Sequence, residues 1–337
     1  MRISASLYSN KAKPISSIIK ELEQCHIDYV HIDCINDLSV FEDIKFIKNN
    51  HNILIDLHII AEDPLPLMKS AEELQVDYCS IQYENCIDKK SWADFRFTHT
   101  ELGLAIKTDT SIDVFDYYQH ICKYILIMST IPGQSGGSFV PSNFQKIRQF
   151  KKRFPYHTLQ VDGGVNAEVS FILRNMNVDC IVSGNYLMNA DSIAIALNNL
   201  KYDNVASHFY VRDFMIPLTE TPYLYKDATT LQALICIEKY KLGFCAIIDH
   251  DLQLQGIISN ADLRRAMIYY LQNNANNITL DQMLNRTPIT ILDHMNVTEM
   301  LNYIKKQKIP ILFLPVINTN NQLCGTITFN NLIKSEL

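Results

Sequence analysis

The feature that most constrains this chain is an alternation. From residue 1 to about 200, short apolar runs of strand character are separated by segments of helical period such as Pro14 to Cys25 and Ser111 to His120. The runs are Arg2 to Leu7, Tyr29 to Asp33, Ile53 to Ile60, Tyr78 to Gln82, Gly103 to Lys107, Tyr124 to Met128, Thr158 to Val161 and Cys180 to Ser183. Eight strand–helix units in about 200 residues predict an α/β fold, a (β/α)₈ barrel, whose site is built on the loops that follow the strands. Chemistry is therefore to be sought at strand ends.

Three strand ends carry imidazoles or carboxylates in one phase. His31-Ile32-Asp33 and Asp56-Leu57-His58 alternate so that both polar residues of each run face the same side, inward in a barrel. The seventh strand runs into Asp162-Gly163-Gly164-Val165 ahead of a predicted helix, Ala167 to Asn175. Inward His and Asp residues are costly unless they bind something. His31, Asp33, His58 and Asp162 suit a catalytic divalent cation, with Zn²⁺, Fe²⁺, Mn²⁺ and Co²⁺ as candidates. Asp162 also suits acid/base work, and Gly163 and Gly164 let backbone N–H groups approach an anion such as phosphate, although Asp-Gly-Gly is equally a common turn.

At 337 residues, with 47% hydrophobic, the chain predicts one large and one smaller domain. The balance of 30 Lys+Arg against 36 Asp+Glu, net −6 with no long basic run, speaks against nucleic acid and anionic membrane as partners. Nine cysteines without a Cys-x-x-Cys pair read as small core residues in a reducing cytoplasm. The start at Met1 shows no signal-peptide profile, and no apolar run approaches the ~18 residues that span a bilayer.

Residues 1 to about 200 resemble D-ribulose-5-phosphate 3-epimerase, in order along the barrel. The motifs are Ser4-Ala5-Ser6-Leu7, His31-Ile32-Asp33, Asp56-Leu57-His58, Met128-Ser129-Thr130-Ile131-Pro132-Gly133, Gly136-Gly137-Ser138-Phe139, Val161-Asp162-Gly163-Gly164-Val165 and Ser183-Gly184-Asn185. The resemblance implies metal binding by His31, Asp33, His58 and Asp162, with Asp33 and Asp162 as the acid/base pair. It implies substrate contact at Ser4 and His58 and a phosphate end lined by Gly136, Gly137, Gly163, Gly164, Gly184 and Asn185. The chain departs from the family pattern at Ile35 to Ser39, Ile60, Lys107 and Asn185, so the walls of the sugar pocket differ. The expected reaction is epimerisation at carbon 3 of a ketopentose phosphate, D-ribulose 5-phosphate to D-xylulose 5-phosphate, by two-aspartate proton transfer through an enediolate. Its rivals are an epimerase or lyase for another phosphosugar and a non-catalytic nucleotide-sensing assembly module.

The pattern changes around Lys201 to Ser207, which places a linker between a barrel domain, 1–203, and a second domain, 208–337. The second part holds a repeat, with copies at about 208–272 and 276–337. Val211-Arg212-Asp213-Phe214-Met215 answers Leu280-Asp281-Gln282-Met283-Leu284, and the run from Gly256 to Leu263 answers that from Gly325 to Leu332. This resembles a tandem pair of cystathionine-β-synthase (CBS) domains, an α+β module that implies regulation and a homo-oligomer. In such pairs the residues matching Ser259 and Asp262 bind the ribose of an adenine nucleotide. The same two residues suit a helix cap, so nucleotide binding and a purely structural or dimerising role both stand. The second copy carries Asn331 in place of the acid.

Overall fold

The computed structural model describes every residue except 135, 202–207, 274–277, 308–310 and 330–337. The chain forms two compact units, one containing Met1–Val205 and the other Ala206–Asn330. The expected linker lies almost wholly outside the described residues, as does Asn331.

In the first unit, β1 (Arg2–Ser6), β2 (Tyr29–Ile35), β3 (Leu54–Ile60), β4 (Tyr78–Gln82), β5 (Glu101–Lys107), β6 (Tyr124–Met128), β7 (Thr158–Asp162) and β8 (Cys180–Ser183) form a closed barrel in chain order. All eight neighbouring pairs are parallel, β8 closing onto β1. The outer helices are α1 (Ile15–Gln24), α2 (Val40–Asn50), α3 (Leu65–Glu73), α4 (Phe115–Tyr118), α5 (Ser142–Arg153), α6 (Ala167–Asn175), α7 (Asn185–Met188) and α8 (Ile193–Lys201). Pro14 caps α1 with φ −61°, ready for a helix, and Ile18, Ile19 and Leu22 then fall on one face, which is fully buried. Truncating such a residue, Leu22→Ala, should cost ~2–5 kcal/mol.

Two departures from the expected alternation have local causes. The helix expected over Ser111 to His120 is a 3₁₀ turn, Ile112–Val114, followed by the single turn of α4. Ser111 Oγ accepts the N–H of Asp113, only two residues on, which favours the tighter turn. The β4–β5 connection, residues 83–100, contains no helix. There Trp92, almost wholly buried, stacks on Tyr118 with centroids 4.9 Å apart.

Inside the barrel, Tyr29, Tyr78 and Tyr124 meet edge to face, at 5.0 and 6.0 Å between centroids, and fill the end from which the strands start. Gly103 makes this floor possible, because a Cβ there would lie 2.3 Å from the Tyr124 ring. Above the tyrosines lie Ala105, Leu126, Met128 and Val182.

The second unit comprises α9 (Val211–Phe214), β9 (Ile216–Pro217), β10 (Tyr223–Tyr225), α10 (Thr230–Tyr240), β11 (Phe244–Ile248), β12 (Leu254–Ser259), α11 (Asn260–Asn273), α12 (Leu280–Met283), β13 (Ile291–Leu292), α13 (Val297–Lys305), β14 (Phe313–Ile317) and β15 (Leu323–Thr328). Its sheets run β10-β11-β12 and β13-β14-β15-β9. The repeat is structural as well as sequential. The hairpins β11–β12 and β14–β15 each shift register once, at Ile247/Ile248 and Val316/Ile317, where Gly256 and Gly325 stand opposite. Equivalent residues also meet each other. Phe244 stacks on Phe313 at 4.1 Å, Leu254 N–H donates to Asn321 O, and Leu323 N–H donates to Leu252 O. Such reciprocal contacts are what a local two-fold axis between the copies requires.

Candidate active site

The site is written into the register of β2 and β3. That register sets His31 opposite Asp56 and Asp33 opposite His58, so each imidazole meets a carboxylate across the strands. A slip of one residue between the two strands would turn one strand's pair of side chains outward and undo both pairings. His31 Nδ1 lies 2.8 Å from Asp56 Oδ2, which also accepts the Ser4 hydroxyl at 2.9 Å. Asp33 Oδ1 lies 3.1 Å from His58 Nδ1 and 3.4 Å from His31 Nε2, and Asp162 Oδ2, from the end of β7, lies 3.9 Å from His31 Nε2. Both histidines are buried, whereas the side chains of Asp33 and Asp162 are 19% and 16% exposed at the barrel mouth. Ser4 is wholly buried, and its hydroxyl is committed to Asp56 beneath the rings.

The hydrogen bonds settle which ring nitrogens face the mouth. Gln82 Nε2 donates to Glu84 and to Ala105 O, which turns its Oε1 toward His58 Nε2 at 2.8 Å. His58 Nε2 must therefore carry the proton, and in the neutral ring Nδ1 presents a lone pair toward Asp33. Glu84 is itself fixed by the Lys107 N–H at 2.8 Å and by the Thr110 hydroxyl. Asp56, an acceptor, likewise takes the His31 Nδ1 proton. His31 Nε2, fully buried, is left without a hydrogen bond and faces the oxygens of Asp33 and Asp162.

The result is a convergence of acceptors. One ligand atom each from His31, His58 and Asp162 lies within 4.8 Å of the others, and Asp33 borders both rings. Acceptors facing acceptors in a buried site call for positive charge between them, so the donor set fits a divalent cation. Without a cation between these groups, a proton on His31 supplies the positive charge. Burial opposes charge on His31, yet Asp56 and Asp33 outweigh it and hold the imidazole well above its usual pKa. Burial would raise Asp33, but its contacts with His31 and His58 prevail and keep it ionised far below the usual carboxylate range. Asp162, where burial dominates and Asp33 adds repulsion, is pushed up to about 6. Two carboxylates whose surroundings push their pKa values apart suit an acid/base pair.

The glycines of the two long loops serve contact between loops as well as conformation. Gly163 and Gly164 have φ +106° and +68°, and a Cβ on Gly164 would lie 2.1 Å from the backbone N of Phe139. The turn after β7 thus packs directly on the segment 137–139 that follows β6. Gly137 meets Thr130, Gly136 has open space around it, and Gly184 lies against Ser9 beyond β1. Asn185 opens α7, exposed, and accepts from Asn189. Ile60, in the phase of His58, comes near Gly133 together with Ile35, giving the mouth an apolar wall.

Two residues of this site were not among the sequence candidates. Asp56 was seen to share the face of His58 but was left out of the set, and Gln82 was not singled out at all. The signal for Gln82 is the polar period of two along β4, Tyr78, Ser80 and Gln82, which continues the inward face.

In the second unit Ser259 and Asp262 satisfy each other. Asp262 Oδ2 accepts the Ser259 N–H at 2.8 Å and the Ser259 hydroxyl at 2.5 Å, its Oδ1 pairs with Arg265, and its N–H donates to Ser259 Oγ at 3.3 Å. Gln232, Gln282, Glu299 and Asp213 make the same backward bond to the residue that opens their own helices. Among the described residues, no helix is long and apolar enough to cross a membrane.

Comparison with known proteins agrees with the geometry. The CBS domain family matches residues 280–337. The chain is similar to a ribulose-phosphate 3-epimerase of Chlamydia pneumoniae, 27% identical over 195 residues that cover 52% of this chain and 82% of the relative. It is also similar to one of Methanocaldococcus jannaschii, 25% identical over 217 residues, covering 60% and 90%. A crystal structure of CBSX2 in complex with AMP matches at 21% identity over 38% of this chain and 96% of that one, with a TM-score of 0.33. The ribulose-phosphate 3-epimerase family model itself matches residues 2–188, more than half of the sequence and all eight barrel strands, and the chain belongs to that family.

Proposed function

We propose that the barrel epimerises carbon 3 of a ketopentose phosphate, converting D-ribulose 5-phosphate to D-xylulose 5-phosphate. The observation that carries this reading is the placement of two carboxylates, Asp33 on β2 and Asp162 on β7, around the ring nitrogens of His31 and His58. Inversion of a centre next to a ketone needs a group on each face, one to take the proton and one to return it. Asp33 and Asp162 supply that pair from opposite parts of the barrel. His31, Asp33, His58 and Asp162 would hold a divalent cation, whose chemistry is Lewis-acid stabilisation of the negative charge that develops on the substrate oxygens. Asp56 and Gln82 keep the two rings turned toward the mouth, and the packed turns at Gly136–Gly137 and Gly163–Gly164 offer backbone N–H groups to the phosphate, which fixes the reacting carbon.

The second unit serves as a regulatory or oligomerising module. Its helices α10 and α11 expose Leu231, Leu234, Ile235, Met267, Ile268 and Leu271, an apolar surface suited to a second copy of the chain. Incubation with D-ribulose 5-phosphate in D₂O tests the catalytic reading. Deuterium entering carbon 3, with xylulose 5-phosphate formed, is the expected NMR result. Exchange at another carbon, or aldol cleavage, would move the assignment to a different phosphosugar reaction.

A further inference from the structure

Cys236 lies on the buried face of α10 and Cys245 near the start of β11, and their sulfur atoms are 3.3 Å apart, the Cys245 thiol donating to Cys236. Both sit in one cluster with Ala233, Ile237, Ile247 and Ile258. Among the described residues this is the one pair of thiols in hydrogen-bond contact. The fold does not demand it, since the matching positions of the second copy, 69 residues on, are Lys305 and Leu314. A covalent S–S bond is about 2.05 Å long, so the two sulfurs need approach by only about 1.3 Å.

We propose that Cys236 and Cys245 form a reversible dithiol–disulfide pair in the first repeated copy, oxidised by peroxide or by a small-molecule disulfide. The reading is independent of the barrel chemistry. Cys236 is 7% exposed and Cys245 not at all, so the oxidant meets Cys236 first during a local opening. The hydrogen bond from Cys245 lowers the Cys236 pKa against the effect of burial, which raises its thiolate fraction. With hydrogen peroxide, the Cys236 thiolate attacks one oxygen, the O–O bond breaks, and a sulfenic acid forms as the departing hydroxide takes up the proton that the thiol had released, giving water. Cys245 sulfur then attacks the sulfenic sulfur, the S–O bond breaks, and a second water leaves with the remaining proton. With oxidised glutathione, Cys236 displaces one glutathione thiol to give a mixed disulfide, and Cys245 displaces the other. The bond would tie α10 to β11 across the turn that holds Lys241 and Gly243, both at positive φ.

The test uses the full chain under native conditions. It is treated with oxidised glutathione, unfolded, alkylated with N-ethylmaleimide and digested for mass spectrometry. The expected product is a peptide pair linking Cys236 to Cys245, lighter by two hydrogens and released by dithiothreitol. In Cys245→Ala, Cys236 should stop as the glutathione adduct. Oxidation should also raise the thermal midpoint of the wild type and leave that of Cys236→Ala unchanged. Full alkylation of both residues after oxidant, or a wild-type Cys236 that stops at the glutathione adduct, would overturn the proposal.

Discussion

The barrel mouth and the start of α11 both place a buried carboxylate where a strand runs into a turn or helix, and they differ in what surrounds it. At α11, the Ser259 N–H, the Ser259 hydroxyl and Arg265 occupy the oxygens of Asp262. At the barrel mouth, Asp33 and Asp162 face the ring nitrogens of two histidines whose far nitrogens are engaged by Asp56 and Gln82. The first cluster is satisfied within the protein, and the second gathers acceptors that a positive charge between them would satisfy. A buried acid therefore marks a ligand site when its neighbours are themselves acceptors, and marks a cap when they are donors.

The comparison can be broken most sharply at the two acids. Asp33→Asn and Asp162→Asn should each lower the rate of epimerisation by ~10²–10⁴-fold or more while leaving the fold intact, since each removes a proposed acid/base group. A folded double variant that still interconverts the two sugars in a coupled assay would end the two-carboxylate reading. A smaller effect is expected one layer back. Asp56→Asn and Gln82→Leu leave the proposed ligands in place but release the rings, and should weaken metal binding by ~10–100-fold in competition with a chromophoric chelator. Unchanged affinity in both would mean that the rings are oriented by packing alone. The smallest effect belongs to the cap. Asp262→Ala should cost ~1 kcal/mol in denaturant unfolding of the second unit. Calorimetry with AMP, ADP and ATP then sharpens the contrast, because heat that vanishes in Asp262→Ala would give that carboxylate a ligand as well as a helix.

Much of this was legible in the residues. Apolar runs between helical segments locate all eight barrel strands, and period-two phasing puts His31, Asp33 and His58 on the inner face. Phase does not give cross-strand register, however. That His31 pairs with Asp56 and His58 with Asp33 is fixed by the alignment of β2 with β3, a non-local property. Gln82 escaped for a related reason, since an amide at a strand end has no chemistry of its own and matters only through the ring it holds. The opening of α11 was read as two alternatives because a cap and a ribose site ask for the same residues at the same spacing. Ser111 shows the reverse case, where a good capping residue started a 3₁₀ turn instead of a full helix.

The tyrosine floor has a consequence for traffic. With Tyr29, Tyr78 and Tyr124 packed across the starting end of the strands and Gly103 yielding its volume to the Tyr124 ring, the barrel opens to ligands at the other end. The histidines lie deeper than the loops proposed for the phosphate, so a sugar phosphate seated there would act as a stopper over a cation held by the histidines. Chelator-driven inactivation should accordingly slow as sugar phosphate saturates the enzyme. Cation and substrate would then follow a fixed sequence, last in and first out.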